Sequence, residues 1–152
     1  MASLWMTNDM TINALDAVLD LLNSGGNATL TVYGDVGGTV SAPLSADHSI
    51  GSASTIISYT MADPCFAGAS MSGNSAVAAL VATGLTGVST GGNGDNILFI
   101  RIESGDSANV IQLDVSTTGQ GGAVQFDSLG PVSLGQTVTI SSGTVSMDEI
   151  AS

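Results

Sequence analysis

Apolar positions along the chain change their spacing once, and that change divides it into a helix and a set of strands. Over residues 7–23, Ile12, Leu15, Val18, Leu19 and Leu22 recur at intervals of three and four, which places them on one helical face. Asp9, Asn13, Asp16 and Asp20 fall largely on the other. Thr7, Asn8 and Asp9 supply side-chain oxygens for the free N–H groups of the first turn and negative charge at its positive end. Asn23, Ser24, Gly25 and Gly26 tolerate the left-handed backbone that ends a helix. The pattern predicts an amphipathic helix over about 8–24, preceded by an N-terminal arm over 1–10.

After Gly26 the period drops to two. Residues 28–33 alternate Leu30 and Val32 against Thr29, Thr31 and Tyr33. Residues 97–103 set Leu98, Ile100 and Ile102 against Ile97, Phe99, Arg101 and Glu103. Further β-prone runs cover 54–61, 76–82, 110–115, 123–126, 137–141 and 144–147, the last two read as a closing hairpin. Gly-, Ser-, Asn- and Asp-rich links separate the runs, at 34–41, 68–74, 89–96, 104–109 and 117–122. Short strands at this spacing predict a mainly β, single-domain β-sandwich or small jelly roll of about 7–9 antiparallel strands over 11–152, with the one helix at its N-terminus.

Charge narrows the partners. The 152 residues hold one basic side chain, Arg101, against 13 carboxylates, for a formal net charge of -12. Nucleic acid is disfavoured, because neutralising phosphates takes clustered Lys and Arg, and so is an anionic membrane surface. A partner with basic character fits better. Only 9% of residues are charged, against roughly 25% in ordinary soluble domains. The Gly, Ser, Thr, Ala and Asn that replace them give a hydrogen-bonding surface with little side-chain entropy to lose on burial. No apolar run approaches membrane-span length, and no basic region marks an export signal in the first residues.

The residues that carry chemistry are scarce. A triad would need the single histidine, His48, beside a serine and a carboxylate, and His48 in its polar stretch reads as an ordinary loop histidine. Cys65, also single, has few groups able to lower its pKa and reads as structural. One Cys and one His cannot fill a zinc shell. The Gly91-Gly92-Asn93-Gly94-Asp95-Asn96 stretch is similar to one glycine-rich calcium repeat but occurs once, so it reads as a flexible hairpin loop before the strand at Ile97. Arg101 and Glu103, two apart on one strand face, are placed for a side-by-side ion pair. The chain is therefore expected to be no enzyme and to hold no cofactor and no metal.

Soft motifs point to a family. In order they are the helix ending at Asn23–Gly26, Leu30-Thr31-Val32-Tyr33-Gly34, and residues 66–73 followed by the alanine-rich run to Gly84. Then come Phe99-Ile100-Arg101-Ile102 with Ser104-Gly105-Asp106, Asp114-Val115-Ser116-Thr117, and residues 134–140. From about residue 10 to 147 the chain resembles small virion structural proteins of tailed bacteriophages, of the capsid decoration or cement type. That resemblance implies a non-enzymatic protein on the capsid surface of a virion assembled in the host cytoplasm. It would bind between subunits of the major capsid protein as a homo-oligomer, with a trimer suggested by analogy. The expected interface residues are Trp5 and Met6, apolar side chains in a polar leader, and Arg101. The loops at 35–52 and 89–96, longer than the family pattern, are candidate extra contacts. The alternative is a tail or fibre module that binds a host surface through its loops.

Overall fold

The computed structural model describes residues 6–81 and 85–148. Helix α1 spans Asn8–Asp20 and tightens into a 3-10 turn at Leu21–Asn23. Thr7 is its N-cap, and the Thr7 hydroxyl accepts from the Met10 N–H, which satisfies one of the unpaired first-turn donors. Residues 8–10 thus belong to the helix rather than to an arm. Thr11, Leu15, Leu19 and Leu22 are buried, but Val18, expected on that face, is 43% exposed. Thr11 takes the inner place, its hydroxyl bonded back to the Thr7 carbonyl.

The strands are β1 Thr29–Asp35, β2 Ser54–Thr60, β3 Ser70–Ser72, β4 Ser75–Ala79, β5 Thr86–Val88, β6 Asn93–Glu103, β7 Val110–Thr117, β8 Val124–Phe126, β9 Val132–Ser133 and β10 Thr137–Asp148. They form one sheet along the path β2-β1-β6-β7-β8-β10-β4-β3, with β5 on β10 and β9 on β6. The sheet turns back on itself, because the Tyr59 hydroxyl of β2 donates to the Val138 carbonyl of β10 at 2.8 Å. Burial pushes that phenol up to about 12. Helix α1 lies against β4, β10 and β3.

Alternation builds the core. Leu30 and Val32 of β1 stand opposite Ile102 and Ile100 of β6, and all four are fully buried. Phe126, Val124, Ala76, Ala78, Val138 and Ile140 join them with the inner face of α1. A bulge beside Val32 lets both Ile56 and Ile57 point inward from β2.

The mainly β fold with one N-terminal helix is as expected, with three corrections to its strands. Among the described residues ten strands form where 7–9 were expected. The closing hairpin at 137–147 is instead the continuous strand β10, which changes partner from β5 to β8 to β4 along its length. Ser142-Gly143 resembles a turn signal, but glycine serves packing there: a Cβ on Gly143 would lie 2.9 Å from the Leu80 side chain. The third correction is that β7 and β8 run parallel.

Parallel neighbours ordinarily need a long crossover, yet only residues 118–123 link this pair. Side chains make the tight return possible by taking up its backbone donors. Ser116 Oγ accepts from Gly122 N at 2.9 Å, Asp114 Oδ1 from Ala123 N at 3.2 Å, and Gln125 Oε1 from Gly119 N at 2.9 Å. A Cβ on Gly122 would meet Ser116 atoms at 2.8 Å. Gly122→Ala is therefore expected to lower stability by about 1–3 kcal/mol, read as a lower denaturant midpoint at unchanged slope.

Candidate interface surfaces

The expected interface residues lie in three different settings. Trp5 falls outside the described residues. Met6 is half-buried just before the N-cap of α1. Arg101 lies far away on β6, with its side chain turned onto the protein itself.

The Arg101 setting follows from strand register. On the outer face of the sheet, Tyr33 is opposite Phe99, Thr31 opposite Arg101, and Gln112 of β7 opposite Arg101 on its other side. Tyr33 and Phe99 stack with ring centroids 5.0 Å apart, and the guanidinium sits 5.8 Å from the Phe99 ring centre. Residues 36–52 cross over this face. Arg101 Nη2 donates to the His48 carbonyl at 2.6 Å and to the Ser45 carbonyl at 3.4 Å. Arg101 also donates from Nε and Nη2 to Gln112 Oε1, and Gln112 Nε2 donates to the Pro43 carbonyl at 2.6 Å. The guanidinium thus turns to the loop backbone instead of pairing side by side with Glu103.

Asp35, buried at the end of β1, fixes where the loop begins. Its carboxylate accepts from the Thr39 and Val40 N–H groups and from the Thr39 hydroxyl. Chiefly the Val40 bond, with the Thr39 bonds, holds its pKa below the ordinary carboxylate value. The loop is therefore strapped down at Asp35, Pro43, Ser45 and His48. With the carbonyls on both sides of Leu44 held inward, the Leu44 side chain projects outward and is 95% exposed.

A second surface is the outer side of α1. At about 100° per residue, Met10, Ala14, Ala17, Val18 and Leu21 fall within one arc beside the buried face. Met10 is 51% exposed and Leu21 53%. Asp9, Asn13 and Asp20 line one edge of that row, all exposed. The helix carries a buried apolar face and, beside its acids, an exposed one.

A third feature is an open groove of about 570 Å³, lined in part by Val77, Leu113, Asp114, Gly122, Gln125 and Ser146. Asp114 is already engaged there with the Ala123 N–H.

The groups weighed for catalysis sit in structural roles. His48 Nδ1 lies 2.7 Å from Ser45 Oγ, but both belong to one turn of the strapped loop, closed by His48 N donating to the Ser45 carbonyl. Cys65 is buried and free, and burial pushes its thiol pKa up, opposite to what a nucleophile needs. Among the described residues no helix is long and apolar enough to cross a membrane.

The sequence did not single out Gln112, Asp35 or Leu44. Only Asp35 left a local trace, an aspartate four residues before Thr39 in a glycine-rich link. Comparison with known proteins brings no relative: no family model, curated protein or solved structure matches the chain.

Arg101→Gln is expected to free residues 43–48 and to cost about 1–3 kcal/mol of stability, with the loss appearing as faster hydrogen exchange in that segment. Asp35 supplies a pH dependence of defined sign. Its folded pKa is depressed, so its contribution is present above the unfolded value of about 4 and is lost as pH falls through the folded one. Asp35→Asn should therefore flatten the acid limb of the stability curve and leave its neutral-to-basic side parallel to wild type, as measured by denaturant midpoints across pH.

Proposed function

We propose that this chain is a non-enzymatic virion structural protein of a tailed bacteriophage, which decorates the capsid and stabilises it by binding between major capsid subunits. The observation that carries the reading is the exposed apolar row of α1. On one side it meets the buried face of the helix, and its other edge is acidic. An apolar centre with a charged margin is the anatomy of an association surface. The partner best suited to it presents apolar side chains flanked by Lys or Arg. Arg101 is engaged within its own chain, so a second copy of this chain offers no other Lys or Arg to that acidic edge.

The exposed Leu44 on a strapped loop supports the same reading. A contact residue held in place before binding has less entropy to lose on association. The virion resemblance, carried by motifs spread from about residue 10 to 147, supplies the setting. The groove between β4, β7, β8 and β10 favours the second reading, a tail or fibre module that takes a host-surface ligand.

Copy number separates the two. Quantitative gel analysis of purified virions is expected to show hundreds of copies, whereas a few to dozens would favour the tail module and absence from virions would overturn both. Val18→Asp with Leu21→Asp, both exposed in the free chain, should reduce capsid occupancy at least tenfold while leaving thermal unfolding of the free protein within about 2 °C of wild type. Unchanged occupancy would remove α1 from the interface.

A further inference from the structure

The Gly91–Asn96 stretch, expected as a flexible hairpin loop, has a different structure. Its second half is already strand: β6 begins at Asn93, and Asn93 and Asp95 pair with Ser133 and Val132 of β9. The Gly91 N–H donates to the Ile56 carbonyl at 3.0 Å, which fixes the turn against β2. Asp95 is consequently drawn inside. It is 1% exposed, the most deeply buried carboxylate among the described residues, and its Oδ1 has no hydrogen-bond partner.

A buried carboxylate oxygen without a partner is strongly disfavoured. The other deeply placed acid, Asp35, is met by two backbone N–H groups and a hydroxyl. Asp95 instead faces glycine and oxygen. Gly92 has φ +91°, and a Cβ built on it would lie 2.9 Å from the Val132 carbonyl oxygen and 3.6 Å from Asp95 Oδ2. Val132 O and Asp95 Oδ2 therefore both lie beside Gly92, while the oxygen of the same carboxylate left without a partner is Oδ1. What compensates an anion beside a carbonyl oxygen is a positive charge, because the carbonyl offers no proton to share.

We propose that Asp95, with the backbone oxygens around Gly92 and Val132, forms a weak binding site for a hard cation of the calcium type. The donors set the class. No group of three or more His, Cys, Asp or Glu side chains stands together among the described residues, so the remaining ligands are backbone or amide oxygens and water. Oxygen-only donors suit calcium, and thiolate- or imidazole-seeking metals do not fit them. A single carboxylate places the affinity at the weak end of the calcium range, with a Kd of about 0.1–1 mM. Occupancy would tie β6 to β9 and fix the turn that rests on β2.

The test uses the full chain alone, so it stands apart from any capsid. Thermal unfolding is followed in calcium chloride and in choline chloride at matched ionic strength. Calcium at about ten times Kd should raise Tm by about 3–5 °C, saturably, in wild type and in Asp127→Asn, which removes an exposed acid elsewhere. The rise should vanish in Asp95→Asn. Equal Tm in the two salts, or an undiminished rise in Asp95→Asn, would overturn the site. Should Asp95→Asn fail to fold, calorimetric titration of wild type with calcium decides: one saturable site supports the proposal, and no saturable heat overturns it.

Discussion

A chain of net charge -12 has one Lys or Arg side chain, and it is turned back onto its own chain. Arg101 lies over the Phe99 ring and holds the carbonyls of Ser45 and His48, while Gln112 beside it holds Pro43. The 36–52 loop buries none of its side chains fully, so polar bonds from the sheet must keep it in place. Without them the outer face of β1 and β6, with Phe99 at its centre, would open to water. The rest of the outer surface inherits the consequence. The acids on α1 and on the loops have no other Lys or Arg within the chain, which leaves an acidic exterior for a partner to complement.

Two kinds of surface come from that arrangement. One is rigid by hydrogen bonding, where the strapped loop projects Leu44 into solvent. The other is rigid by secondary structure, where α1 uses Thr11, Leu15, Leu19 and Leu22 against the sheet and exposes Met10, Val18 and Leu21. Neither requires reactive side chains. Both suit an association in which the free and bound shapes are nearly the same, which agrees with the proposed binding to a capsid.

The fold was legible where a single local period decides it. Leu15, Leu19 and Leu22 announce the buried face of α1, and Leu30, Val32, Ile100 and Ile102 announce the central strands, because each repeats at the period of its own element. Legibility failed where two distant segments share the decision. Val18 satisfies the helical period as well as Leu19 does, and only the placement of the sheet leaves it outside. Ser142-Gly143 reads as a turn until Leu80 is found against Gly143. The parallel return from β7 to β8 depends on Asp114, Ser116 and Gln125 meeting backbone donors several residues away. The site residues follow the same division. Arg101 stands out by being unique, but Gln112 meets it only through strand register, and Ser45 and His48 only through the path of the 36–52 loop. Asp95, read as a loop residue among glycines, is buried because β9 pairs with it from nearly forty residues onward.

The proposed docking on a capsid through the exposed face of α1 can be seen or excluded in a cryo-electron density map of the virion. Density for this fold is expected on the outer surface of the head, with Met10, Val18 and Leu21 against the major capsid protein and basic side chains of that protein near Asp9 and Asp20. Density for the fold on the tail alone, or on the head with α1 facing solvent, would contradict it.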